Sequence, residues 1–269
     1  MQSDLPAFSF RAFLLIPLLF LLPLPAWAQT DLPFVPGERL EFILRWQNVP
    51  AGSACLEVLP PTTMEGEAAW HFVMTARSNK AIDLFYKVRD QIHAHTDLGM
   101  NRSLSYHKQQ QEGRHKRDEK VTFDWEKAQA QYANFGEKQE PIPLMDGSFD
   151  PLSALYFSRT LPLETGLLVE RPVTDGKKNV LGKLRVLERE TITLRDGRSF
   201  DTYRVEPEMP HISGVFKESP GSRIEIWLTA DARRIPVRVR SKVTIGHFIA
   251  ELVSAEGLRE ASPPSPEAP

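Results

Sequence analysis

Apolar residues return at every second position through most of this chain, and that period is the signature of strands with one dry face. Leu40, Phe42, Leu44 and Trp46 share one parity, while Arg39, Glu41, Arg45 and Gln47 share the other. Side chains alternate between the two faces of a strand, so this segment places its apolar set on a core and its polar set in water. After a turn over 48–52, Ala54, Leu56 and Val58 carry the pattern on. Trp70, Phe72, Met74 and Ala76 repeat it beyond a polar loop at Glu65-Gly66, and another strand is expected over 88–96. Between them, 78–86 is read as a short helical turn.

The stretch 103–142 is wetter. Residues 114–120 are almost continuously charged before Val121, Phe123 and Trp125 restore the alternation. That reads as a hairpin projecting into solvent, or as an edge whose charges discourage pairing with other chains. Asp175-Gly176 and Asp196-Gly197 mark two tight hairpins, because both turn residues need positive φ. The first separates 167–173 from 180–187 and the second separates 191–194 from 200–205. Strands over 224–228, 235–239 and 248–252 close the pattern, with turns at 230–232 and at Gly246.

One segment departs from the period of two. In Asp150-Pro151-Leu152-Ser153-Ala154-Leu155-Tyr156-Phe157-Ser158-Arg159, Asp150 can cap a first turn and Pro151 suits the first helical position. Leu152, Leu155 and Tyr156 fall on one stripe with Arg159 close to it. Phe149 occupies the staple position, with Ala154 as its small partner. Leu161 precedes Pro162, which ends the helix. The fold class expected is mainly β: a large curved antiparallel sheet or half-open barrel, with this helix plugging the concave side.

The N-terminus reads as a processing signal. Arg11 leads an apolar run over 12–24, and Ala26-Trp27-Ala28 precedes Gln29. The run is about 13 residues, short of the roughly 20 that span a bilayer. The expectation is a signal peptide over 1–28, cleaved after Ala28, a periplasmic location, and no transmembrane segment after cleavage. Asp4 is atypical in such a signal and leaves an uncleaved anchor as the alternative. No Cys follows the site, which disfavours a lipid anchor. Without internal repeat or linker, 29–258 forms one β-rich domain, and the Pro, Ser and Glu tail over 259–269 is expected to be disordered. A formal charge of −2 argues against nucleic acid as a partner. Cys55 is the single cysteine, so no intramolecular disulfide can form, and it is read as a small apolar residue on a strand.

No catalytic set is legible. His93-Ala94-His95 has metal-ligand spacing on one strand face, but His71 or His107 can complete it only if their strands adjoin. A solvated strand face is the blander reading, and no metal is assigned. Ser53, Ser153 and Ser158 lack a nucleophile-elbow context. Asp83, Asp90 and Asp150 have no spacing that demands acid–base work, and no phosphate loop is present. The chain is therefore expected to be no enzyme and to hold no cofactor.

What remains is an exported β domain rich in large apolar residues. Phe42, Leu44, Trp46, Phe72, Met74, Leu155, Tyr156 and Trp227 are the residues expected to line an apolar cavity for a hydrophobic or lipid-like ligand. The plain alternative is that they fill the core. A second class is an envelope assembly or scaffold protein that meets a protein partner through a strand edge or the charged hairpin. An enzyme with an unrecognised site is third. The tract Arg114, His115, Lys116 and Arg117 is also a candidate for anionic head groups, with a solvated hairpin as the simpler account.

Three motifs carry a resemblance. They are Phe34-Val35-Pro36-Gly37-Glu38-Arg39-Leu40 with Val49-Pro50-Ala51-Gly52, then Asp150 to Tyr156, then Ile226-Trp227-Leu228-Thr229-Ala230-Asp231-Ala232-Arg233-Arg234-Ile235-Pro236-Val237. In this order they resemble the bacterial envelope family catalogued as domain of unknown function 3108, over 33–258. That family has no assigned catalytic residues, so the resemblance implies none here. The closing strand–turn–strand is similar, at the level of fold, to the ending of lipoprotein-carrier half-barrels of the LolA/LolB kind.

Overall fold

The alternation folds into a single antiparallel ladder. A computed structural model describes residues 32–209, 223–242 and 247–260. The expected signal peptide, the turn at Gly246 and nearly all of the C-terminal tail lie outside the described residues. Contacts divide the chain between Asp31 and Leu32, and every described residue belongs to the second unit. Its strands are β1 (Arg39–Trp46), β2 (Val49–Met64), β3 (Glu67–Ser78), β4 (Val88–Asp97), β5 (Ser103–Glu112), β6 (His115–Asp124), β7 (Gln129–Asn134), β8 (Glu137–Lys138) and β9 (Ile142–Pro143). After them come β10 (Leu168–Thr174), β11 (Asn179–Thr193), β12 (Ser199–Glu208), β13 (Arg223–Thr229), β14 (Pro236–Lys242) and β15 (His247–Glu256). Helix α1 (Lys80–Asp83) is one turn, and α2 (Pro151–Thr160) is the long helix.

The order across the sheet is β10-β11-β12-β13-β14-β15-β1-β2-β3-β4-β5-β6-β7-β8, with β9 beside β7. Among the described strands one junction joins the two ends of the chain: β1 pairs with β15, Arg39 opposite Glu256. The sheet does not close on itself, and the segment before α2 spans part of the gap. Ser103 N donates to Ser148 O at 3.0 Å, Phe149 N donates to Pro172 O at 2.9 Å, and Thr174 N donates to Phe149 O at 2.8 Å. Residues 148–149 thus tie β5 to β10.

Three expectations need correction. The charged stretch 114–120 is no edge, since β6 lies between β5 and β7. Its Glu119 is buried and accepts from Tyr132 Oη at 2.8 Å and from Lys177 Nζ at 3.1 Å. Residues 180–187 and 191–194 are one strand, β11, because a bulge between Val186 and Glu188 shifts the alternation without ending the ladder. Phe149 staples to Phe157, at 5.0 Å between centroids, rather than to the small Ala154.

The inner face fills unevenly. Along β1 the exposure climbs from 0% at Leu40 and 4% at Phe42 to 43% at Trp46, with Leu44 half-buried between them. The same gradient runs along β15 from Leu252 to the exposed Phe248, so the interior is tight at one end of these strands and open at the other.

Candidate apolar binding site

Helix α2 owes its position to ties at both ends. Asp150 Oδ1 accepts from Leu152 N and Ser153 N, each at 2.9 Å, satisfying two of the donors that a helix start leaves open. Its Oδ2 accepts from Ser103 Oγ and Ser153 Oγ, each at 2.6 Å, which fastens the cap to β5. Burial pushes the Asp150 carboxyl above the ordinary aspartate value, and these donors act against that shift. At the other end Arg159 donates to both carboxylate oxygens of Glu38, at 2.6 and 2.9 Å, with both residues almost fully buried. The same guanidinium donates to Arg233 O at 3.1 Å and lies over the Phe34 and Tyr156 rings.

The two flanks of α2 pack differently. Toward β3, Tyr156 stacks on Phe72 at 3.9 Å between centroids, and Phe34 meets both rings edge-on at 5.4 Å. Toward β10–β13 a cleft remains, with a volume of about 60 Å³. Ala154, Leu155 and Leu161 form its helix wall, and Val169, Leu184 and Ile226 form its sheet wall. Small residues keep it open. Ala154 offers only a methyl group, and at Gly182 a Cβ would stand 3.1 Å from Val173 Cγ2 and 3.5 Å from Met209 Cγ. Polar groups are few: Arg171 borders the cleft, with its guanidinium 4.8 Å from the Phe157 ring centroid. The arrangement is a narrow apolar slot able to take a short run of methylenes, with Lys183 also at its border paired to Glu170 at 3.0 Å, and Ser158 donating its Oγ to Leu155 O at 2.7 Å.

Of the residues expected to line a cavity, Leu155 borders this cleft. Phe42, Phe72 and Tyr156 belong to the tight core, Met74 packs half-buried against it, and Leu44 and Trp46 lie toward the open end of β1. Trp227 is also buried, 5% exposed and in the same core cluster, but on the strand face opposite Ile226. There its Nε1 donates to Glu190 Oε1 at 2.9 Å, and Arg240 and Arg238 lie over its ring. Arg171, Gly182 and Leu184 escaped the sequence reading. Their alternation marks an inner face, but nothing local says that α2 leaves a gap against it.

The histidines do adjoin. Register sets His71 opposite His95 and His93 opposite His107. His71 Nε2 lies 2.9 Å from His93 Nδ1, and His71 stacks on His95 at 4.2 Å. Burial, then the neighbouring imidazoles of His71 and His93, push His95 down to about 4. Among the described residues no group of three or more His, Cys, Asp or Glu is arranged so that it could hold a metal ion. The three aspartates do not converge: Asp83 pairs with Arg89, Asp150 caps α2, and Asp90, pushed up to about 6 by burial and then Glu112, accepts from Gln111 N at 3.2 Å. Burial pushes the Cys55 thiol up to about 11, in keeping with an inert buried side chain.

A family model described as a protein of unknown function, DUF3108, matches residues 41–253. The chain belongs to the DUF3108 family. None of the curated proteins matches it. Among solved structures, this DUF3108 chain is similar to a β-barrel-like protein of domain of unknown function 1849 from Brucella abortus. That likeness has 10% identity and a TM-score of 0.53, and covers 82% of this chain and 98% of the other. A protein from Bacteroides fragilis with a YmcC-like fold also matches, at 10% identity and a TM-score of 0.36, over 84% of this chain and 98% of that one. At such identity the first likeness speaks for the barrel-like fold alone. No helix among the described residues is long and apolar enough to cross a membrane.

Proposed function

We propose that this DUF3108 protein is a periplasmic, non-catalytic binding protein that takes an apolar, lipid-like ligand beside α2. The observation that carries the reading is the cleft itself: one flank of the helix is sealed by stacked rings, and the other is left open against an apolar sheet wall. The export reading rests on Arg11, the short apolar run and the Ala26-Trp27-Ala28 site. The non-catalytic reading is supported by the buried carboxylates at the two ends of α2, Asp150 and Glu38, which already spend their oxygens on structural donors.

Burial of each methylene contributes about 0.8 kcal/mol, so five contribute about 4 kcal/mol before any head-group contact. Arg171, half-buried and without an ion pair among the described residues, suits an acidic head group. A fluorescent fatty-acid probe tests this. Wild type is expected to bind it saturably, Ala154→Phe to abolish binding by filling the slot, and Arg171→Gln to weaken the acid but not the corresponding alcohol. Equal binding by wild type and Ala154→Phe would sink the proposal.

A further inference from the structure

Two of the most exposed large apolar side chains stand side by side on a loop that is firmly held. Leu84 is 81% exposed and Phe85 is 88% exposed, with the half-exposed Tyr86 next to them. The base of their loop, between β3 and β4, is dense in hydrogen bonds. Asn79 Oδ1 accepts from Ile82 N at 3.0 Å, and Asn79 itself donates to Ala51 O at 2.9 Å and to Pro50 O at 2.7 Å. Ser78 Oγ donates to Asp83, which also pairs with Arg89, and Val88 N donates to Ser78 Oγ at 2.8 Å. Phe85 N and Tyr86 N both donate to Ile82 O, at 2.9 and 2.8 Å. A loop fixed this well presents Leu84 and Phe85 to water as part of its built shape.

Cations surround the pair. Lys80 and Lys87 flank it in sequence, and all of 84–87 is exposed. Gly113 N donates to Lys87 O at 2.8 Å, which sets the β5–β6 turn, with exposed Arg114 and Lys116, against the same tip. Many cations elsewhere on the sheet pair with carboxylates, as Arg189 does with Asp201 and Arg204 with Glu225. Among the described residues no ion pair engages Lys80, Lys87, Arg114 or Lys116. The nearby acids are already occupied: Asp83 pairs with Arg89, and Glu112 accepts from Gln110 Nε2 at 2.8 Å.

We infer that this end of the barrel docks on an anionic phospholipid bilayer, with Leu84 and Phe85 dipping into the interface and the four cations on head groups. A protein groove would bury the apolar pair but has no need of unpaired cations around it; an anionic membrane surface uses both. The inference is separate from the cleft, on different elements, and holds whether or not the cleft takes a ligand. Flotation with vesicles of phosphatidylethanolamine and phosphatidylglycerol, against vesicles of phosphatidylcholine alone, tests it. The protein is used as cells deliver it, with the same N-terminus in every variant, so that segment's contribution is common to all. Wild type is expected to float with the anionic vesicles and to be released by salt. Leu84→Ser/Phe85→Ser and Lys87→Glu/Arg114→Glu should each weaken binding by about tenfold or more. Lys127→Glu, at the far end of β6, should leave binding unchanged. Flotation of either double variant like wild type overturns the inference, and so does an equal loss in Lys127→Glu, which would mean that bulk charge and not this tip is read.

Discussion

At the scale of single residues, the pair of Glu38 and Arg159 is the most deeply buried ion pair among the described residues. Both are 1% exposed, so neither charge has water to fall back on. Removing one partner leaves the other buried and unpaired, and Glu38→Ala is expected to cost about 3–5 kcal/mol in a urea titration. Replacing both with Met should cost far less, because no charge is then stranded, and a double-mutant cycle measures the difference. His95 gives a second residue-scale prediction. Its folded value of about 4 lies below the ordinary 6.5, so between those values the unfolded chain binds the proton more readily. Its contribution is complete above pH 6.5 and is lost as pH falls toward 4, about 3 kcal/mol by linkage and on the order of 2 kcal/mol once solvent screening of this half-buried ring is allowed for. Unfolding midpoints across that window should fall in wild type and flatten in His95→Asn. The position of His71 against His95 was invisible beforehand, because it depends on the register of β3 on β4.

Helix α2 is the element on which the account turns, and its two flanks make opposite predictions. Tyr156→Ala removes a ring stacked at 3.9 Å on Phe72 and should cost about 3–5 kcal/mol. Leu155 is half-buried beside the cleft, so Leu155→Ala should cost clearly less and mainly widen the slot. Equal losses in thermal melts would mean that the flank toward β10–β13 is as tightly packed as the other. The helix was legible because its signals are local: Asp150 caps it, Pro151 starts it, and Pro162 follows its end. The places of the two Asp-Gly hairpins were legible for the same reason, but not their form: the loops run over 175–178 and 194–198, and only Gly176 and Gly197 take positive φ. The continuity of β11 was not, since a bulge at Leu187 reverses the alternation and imitates a break.

For the whole molecule, the barrel-like curvature followed from the alternation, but the pairing of β1 with β15 in the middle of the open sheet did not. That pairing joins segments from opposite ends of the chain, and no short-range signal specifies it. The cleft was hidden for a related reason: its walls come from α2 and from four strands that meet only in the folded state. Leu155 alone was anticipated there, whereas Trp227 followed its strand's alternation to the opposite face. The central claim, that this cleft holds an apolar ligand, is tested most directly by native mass spectrometry of protein recovered from its own cells. An added mass that is released by organic solvent, carries an acyl chain, and is absent from Ala154→Phe is the predicted result. A single unliganded mass in wild type, or the same adduct at the same occupancy in Ala154→Phe, would contradict it.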